Sequence, residues 1–185
     1  MGTGDGRFVL DQAKKFPHKL CIGLNAAADA LRKSSLKTQT KSERGGVTNA
    51  LFVWANVDSL PPELEGIASE ITINYPWGSL LRSLVLPDLE VLRGIARLGR
   101  PGASLTLLIN ISVFDNPTYC QKLGLPLRKP EQLGDVLSAA YCEVGIEVKH
   151  TRLLGQNVPY RTTWGQKLTQ GSGRRQTLVL DAIIR

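Results

Sequence analysis

The parts of this 185-residue chain with the chemistry to hold a polar, aromatic ligand are a spaced glycine loop, two tryptophans on loops and a scatter of basic side chains. The loop is Gly2-Thr3-Gly4-Asp5-Gly6, followed by Arg7, so its glycines fall as G-x-G-x-G. Glycine lacks a Cβ and tolerates φ > 0, which lets backbone approach a ligand closely. The helical pattern that follows offers unpaired N–H groups at its first turn. Trp77 stands in Tyr75-Pro76-Trp77-Gly78-Ser79-Leu80-Leu81, just past an apolar run. A tryptophan on a proline-fixed turn makes a flat, rigid platform for a base; the competing reading is a ring that caps the core. Trp164 lies in Thr162-Thr163-Trp164-Gly165-Gln166-Lys167, with Arg161, Arg174 and Arg175 nearby. Basic residues interleaved with an aromatic suit phosphate contact plus base stacking. Two such rings at one sheet edge could clamp an extruded base from both faces. Trp54, inside an apolar run, reads as core.

The glycine spacing departs from the G-x-G-x-x-G of dinucleotide sites, whose third glycine permits close helix–strand packing. It is more usual of S-adenosylmethionine loops, although plain glycine turns share it. The elements that position these residues follow from apolar periodicity. A helix is predicted over Arg7–Phe16, stopped by Pro17, and a buried strand over Lys19–Leu24. Ala26–Leu36 reads as a helix and Lys37–Gly46 as an exposed basic loop. Strands are predicted over Ala50–Ala55, Glu70–Asn74 and Ser104–Ile111, and helices over Pro87–Leu98 and Pro130–Val144. Ile146–Leu154 and Gln176–Ile184 read as the last two strands, joined as an antiparallel closing hairpin. Strands alternating with helices predict an α/β fold with a mostly parallel, doubly wound sheet and an antiparallel last strand. That closing hairpin is characteristic of class I methyltransferases rather than dehydrogenases.

In such a sheet ligands sit at the carboxyl ends of the strands. Asn25 ends the first apolar strand, where an acidic residue usually grips ribose hydroxyls. Asparagine can accept one hydrogen bond and donate another, without the charge. Ala55-Asn56-Val57-Asp58 ends the next strand and suits contacts to an adenine edge. The α/β nucleotide folds place a strand before the glycine loop. Here Met1 stands directly before it, so a late recorded start or a truncation is expected.

Composition bounds the rest. The length suits a single domain over 1–185 with a sizeable core. Lys+Arg number 23 against 16 Asp+Glu, a net charge of +7 that favours a polyanionic partner. Cys21, Cys120 and Cys142 are odd in number and widely spaced, as expected of reduced thiols in a cytoplasmic protein. His18 and His150 lack the companions of a metal site, so none is expected. No apolar run approaches the ~20 residues of a membrane span, and no signal peptide is evident.

The segments GTGDGRFV, IGLNAAADALRKSS, RGGVTNALFVWANVDSLPPEL, YPWGSLL, GLP and TTWGQKL follow one another in this order. Together they resemble the 16S rRNA (adenine(1408)-N(1))-methyltransferases, the kanamycin–apramycin resistance methyltransferase family. The resemblance spans essentially the whole chain and implies a class I, Rossmann-like S-adenosylmethionine-dependent methyltransferase. It implies the 30S subunit and its 16S rRNA as substrate, action as a monomer, and aminoglycoside resistance as the outcome. It places the cofactor on the glycine loop and Asp58, Ser79 and Thr162 around the cofactor or the target base; with the strand-end residues, the expected cofactor site is Gly2, Gly4, Gly6, Asn25, Asn56, Val57, Asp58, Ser79 and Thr162. Trp77 and Trp164 take the positions that hold the flipped adenine. Lys122, Arg128, Lys167, Arg174 and Arg175 are the expected RNA-phosphate anchors, on target-recognition loops at about 112–130 and 155–175. Three departures stand out: Asn25 where the family has Asp, no N-terminal β-hairpin, and no first strand. They are expected to weaken cofactor affinity, rRNA docking and folding respectively.

Adenine N1 has an in-plane lone pair, so methylation there needs alignment rather than a strong base. The nearest rival enzyme is a tRNA guanine-N7 methyltransferase, whose fourth strand also ends in a Pro-Trp turn. Its longer acidic-aromatic signature is missing here, and TTWGQKL has no counterpart in it. A non-catalytic RNA-binding remnant is the alternative from another class. Cofactor binding separates a remnant from either enzyme, and 30S against tRNA separates the enzymes.

Overall fold

The computed structural model describes residues 1–44, 46–125, 133–155, 158–160, 162, 165 and 176–185. These divide into two compact units. One comprises Met1–Asn56 with Thr162, and the other Val57–Tyr160 with the described residues from 165 onward.

In the first unit, α1 (Arg7–Lys15) starts where Asp5 Oδ1 accepts from the Arg7 N–H at 3.2 Å. It ends before Pro17 with Lys14 and Lys15 in its last turn, where cations suit the negative end of the helix dipole. Its apolar stripe, Val9, Leu10 and Ala13, packs with Val47 and Ala50, backed by Cys21 and Phe52. Strand β1 (Cys21–Asn25) pairs in parallel with β2 (Ala50–Trp54), Cys21 opposite Ala50 and Asn25 opposite Trp54. Between them runs α2 (Ala28–Thr38), which buries Leu31 and Ser34. The Asn49 side-chain amide donates to three carbonyls, those of Ala13, Phe16 and Lys19, at 2.8, 3.1 and 2.8 Å. It thereby gives the Ala13 carbonyl the partner that Pro17, which lacks an N–H, cannot supply, and ties the end of α1 to the turn leading into β1.

The second unit is built on a four-stranded sheet in the order β3-β4-β6-β5. Strands β3 (Ala68–Asn74) and β4 (Gly99–Asn110) are parallel, and β5 (Ile146–Leu154) shares their direction. Only β6 (Thr177–Ile184) runs against them, between β4 and β5. The sheet is therefore mostly parallel with an antiparallel last strand, as the alternation of elements and the closing hairpin predict. The described strands nonetheless form two sheets, with β1 and β3 each paired on one side only. Strand neighbours are long-range partners that local periodicity does not encode. The central strands β4 and β6 bury Leu105, Leu107, Leu108 and Ile109 beside Leu178, Val179 and Leu180. Near-continuous apolar runs of this kind belong to strands covered on both faces.

Among its described residues this unit carries the helices α3 to α6. α3 (Gly78–Val85) was not foreseen, because Trp77 at its N-cap makes no side-chain capping bond. In α4 (Leu89–Leu98) the Asp88 carboxylate caps the N–H groups of Glu90 and Val91, and Val91, Leu92, Ile95 and Leu98 face inward. α5 (Pro117–Leu123) is likewise capped, by Asn116. In α6 (Leu133–Glu143) Leu133, Leu137 and Tyr141 are buried at a four-residue spacing, and the Tyr141 hydroxyl donates to the Leu84 carbonyl at 3.3 Å.

Trp54 is a correction. It is 71% exposed, and its indole N–H donates to the Ala26 carbonyl at 2.8 Å. It occupies the last position of β2, a strand on which Leu51 is exposed as well, so its apolar neighbours in sequence do not make it core.

Candidate functional site

The glycine loop of the first unit is pinned to the carboxyl end of β1. The N–H groups of Gly2 and Thr3 both donate to the Leu24 carbonyl, at 2.9 and 3.3 Å, and Gly6 N–H donates to Thr3 O at 2.9 Å. Gly2, Gly4 and Gly6 all have positive φ, at 65°, 52° and 70°. A Cβ at Gly4 would meet nothing within 4 Å, whereas one at Gly6 would strike Ser34 and Phe52 at 2.7–2.8 Å. Gly6 thus serves packing, and Gly4 presents backbone to open space. Within the loop the Thr3 hydroxyl oxygen is buried without a hydrogen-bond partner. Buried polar atoms are seldom left so in a finished structure. Open backbone beside an orphaned hydroxyl fits a polar, nucleoside-like cofactor such as S-adenosylmethionine.

Asn25 follows Leu24 directly. Its Oδ1 accepts from Ala27 N–H at 3.2 Å, an Asx turn leading into α2. Asn56 is exposed at the end of the same unit, to which Thr162 also belongs.

The second unit carries the aromatic platform. Tyr75, the residue after β3, has φ of 52° and is the one non-glycine residue with positive φ among the described residues. Such a conformation costs on the order of 1–3 kcal/mol and persists where surroundings over-determine it. Here they do. Tyr75 N–H donates to the Leu108 carbonyl at 2.8 Å, the phenol lies 3.4 Å from the Thr177 hydroxyl, and the ring packs on Leu108 and Val179. Burial pushes that phenol above the ordinary tyrosine range, against the pull of the Thr177 contact. Pro76 follows and Gly78 turns left-handed again at φ 59°, so Trp77 is thrown outward between two fixed points. It is 51% exposed. Ser79 is exposed in the first turn of α3, while Val57 and Asp58 open the unit, the Val57 carbonyl lying against α4 at Gly94.

Tyr119 of α5 was not singled out from the sequence. Its ring stacks on Trp77 with centroids 4.3 Å apart and planes 26° apart, and its hydroxyl accepts from Gly78 N–H at 3.1 Å. Burial raises its phenol pKa, and the Gly78 bond opposes that shift. The available signal was Asn116-Pro117, a helix-start pair three residues ahead of an aromatic in a loop already assigned to target recognition.

Lys122 is exposed near the end of α5. Trp164, Arg128, Lys167, Arg174 and Arg175 lie outside the described residues. Among the described residues no group of three or more His, Cys, Asp or Glu could hold a metal ion, and no helix is long and apolar enough to cross a membrane.

The glycine loop and the aromatic turn each lie at a strand's carboxyl end, where open α/β folds bind ligands, and the fold is the class I, Rossmann-like one of solved 16S rRNA methyltransferases. The family model described as NpmA, 16S rRNA (adenine(1408)-N(1))-methyltransferase, matches residues 1–183, and the chain belongs to that family. A 16S rRNA (adenine(1408)-N(1))-methyltransferase of Streptoalloteichus tenebrarius is 32% identical over 186 residues, covering 100% of this chain and 85% of the relative. Among solved structures, the antibiotic-resistance methyltransferase Kmr is 44% identical with a TM-score of 0.80, over 100% of this chain and 85% of that one. A mutant 16S rRNA (adenine(1408)-N(1))-methyltransferase from Catenulisporales acidiphilia, solved with cosubstrate SAM, is 29% identical with a TM-score of 0.85, over 99% and 83%.

Proposed function

We propose that this chain methylates N1 of adenine 1408 in the 16S rRNA of the 30S subunit, using S-adenosylmethionine, and so confers aminoglycoside resistance. The observation that carries the reading is Trp77, half exposed on a strained turn held from both sides. A ring with no core role, fixed at a strand end, suits a base brought out of its stack.

When bound, S-adenosylmethionine supplies an electrophilic methyl group. The glycine loop, Asn25, Asn56, Val57, Asp58, Ser79 and Thr162 are assigned to holding it. Adenine N1 is the nucleophile, through its own lone pair, so the chain's task is to fix the base in line for transfer. Trp77 and Trp164 are assigned to that task by stacking on its two faces. The purine becomes cationic as it is methylated, and an indole face favours a cation. Lys122, Arg128, Lys167, Arg174 and Arg175 anchor phosphates, which position the RNA without reading its sequence. In this reading 1–185 work as one methyltransferase domain, a cytoplasmic monomer with recognition loops at about 112–130 and 155–175.

Expression in a kanamycin- and apramycin-sensitive bacterium tests the proposal. Resistance from the wild type, lost in Trp77→Ala and in Trp164→Ala, is the expected result. Sensitivity with the wild-type protein present and folded would overturn it.

A further inference from the structure

We propose that Tyr119 is a positioning residue for methylation, setting the plane of the Trp77 indole before the target base arrives. This role rests on the function proposed above.

Tyr119 is held at three points. Its backbone N–H donates to Asn116 Oδ1 at 3.0 Å, within the N-cap of α5. The next residue, Cys120, is buried, its thiol 3.5 Å from the Val113 carbonyl, which anchors this turn of the helix. The phenol oxygen accepts from Gly78 N–H, the residue directly after Trp77. A phenol fixed at both ends offers one rigid face, and the Trp77 ring lies on it in stacked geometry. Stacked aromatic pairs in contact attract one another beyond their buried area.

The stack gives the half-exposed Trp77 ring an ordered face to lie on. A large side chain on a surface turn samples several rotamers, and ordering it on binding costs about threefold to tenfold in affinity. Contact with Tyr119 restricts the indole in advance. The Gly78 hydrogen bond links the two residues further, because the same phenol satisfies an otherwise unpaired N–H at the start of α3. Platform and support therefore come from different elements, the turn after β3 and α5, joined at one ring pair.

Methyl transfer to purified 30S subunits, measured with labelled cofactor, tests this with the full chain. Tyr119→Leu should lower kcat/KM for 30S subunits about fivefold, with cofactor affinity by calorimetry unchanged. Tyr119→Phe, which keeps the ring but loses the Gly78 bond, should fall between the two, about twofold below wild type. In the Trp77→Ala background, Tyr119→Leu should cost nothing further, because a residue that acts through Trp77 has nothing left to position. Should Tyr119→Leu fail to fold, Tyr119→Met takes its place in the same cycle. Additive losses in the double variant would overturn the proposal, and so would lost cofactor binding. A gain in activity on removing the ring would also overturn it, because Tyr119 would then compete with the base for the indole. An inactive wild type would refute the function proposed above and this role together. An active wild type with Tyr119→Leu unaffected would refute this role alone.

Discussion

Replacing Gly4 and Gly6 separately by alanine should have two different consequences, although both sit in one loop with left-handed backbone. At either site an alanine meets the penalty of positive φ, about 1–2 kcal/mol. At Gly4 nothing more is lost from the fold, because the added Cβ points into open space. At Gly6 the Cβ comes within 2.7 Å of Ser34 Cβ and Oγ and 2.8 Å of Phe52. Overpacking of that kind costs a further ~1–3 kcal/mol. With about 3 °C of melting temperature per kcal/mol for a chain of this size, Gly6→Ala should melt roughly 3–9 °C below Gly4→Ala. Cofactor affinity should follow the opposite order. The methyl at Gly4 fills the space where a ligand would meet the backbone, so calorimetry should show a loss of about tenfold or more, 1.4 kcal/mol. Gly6→Ala, measured well below its melting point, should bind more tightly than Gly4→Ala. Equal melting temperatures would refute the packing argument. Undiminished binding by Gly4→Ala would show that this loop does not cradle the cofactor.

Asn25→Asp keeps the Asx turn to Ala27 and adds the charge that strengthens a hydrogen bond to ribose hydroxyls; S-adenosylmethionine affinity should rise about tenfold by calorimetry. No change would place the ribose elsewhere. Tyr75→Ala empties a buried ring site beside Leu108 and Val179 and should destabilise the protein by about 3–5 kcal/mol in urea unfolding. Tyr75→Phe loses only the Thr177 contact, about 0.5–1.5 kcal/mol, and a larger loss would show that the hydroxyl rather than the ring holds the turn. Lys122→Glu should weaken 30S binding and reduce the slope of log affinity against log salt by about 1; an unchanged slope would remove Lys122 from the phosphate contacts.

Much of the fold was legible because its strands are unusually apolar. The run Ser104–Ile111 announces a central strand, and the Gly-containing, basic link between the last two apolar runs points to the antiparallel pairing that β5 and β6 show. Chemical marks located some helix ends, as at Pro17 after α1, but α5 was missed although Asn116-Pro117 marks its start. Ends without them were missed: α3 begins on a tryptophan without a capping bond, and its existence depends on the packing of Leu81 and Leu84. Trp54 misled because composition reports how apolar a segment is, not which of its positions are covered, and Leu51 of the same strand is exposed too. At the site, the Pro-Trp turn and the glycine loop could be read directly, since both depend on local backbone demands. The left-handed Tyr75 and the Trp77–Tyr119 stack could not, because each depends on partners distant in sequence, Leu108, Thr177 and α5.

The central claim is tested most directly by locating the methyl group itself. Purified protein, 30S subunits and isotopically labelled S-adenosylmethionine are incubated, and the 16S rRNA is digested and mapped by mass spectrometry. The account expects one labelled methyl per subunit, on N1 of adenine 1408, and a yield lower by about one to two orders of magnitude when Trp77→Ala replaces the wild type at matched concentration and time. Label at another nucleotide, or label appearing instead on guanine N7 of added tRNA, would contradict it.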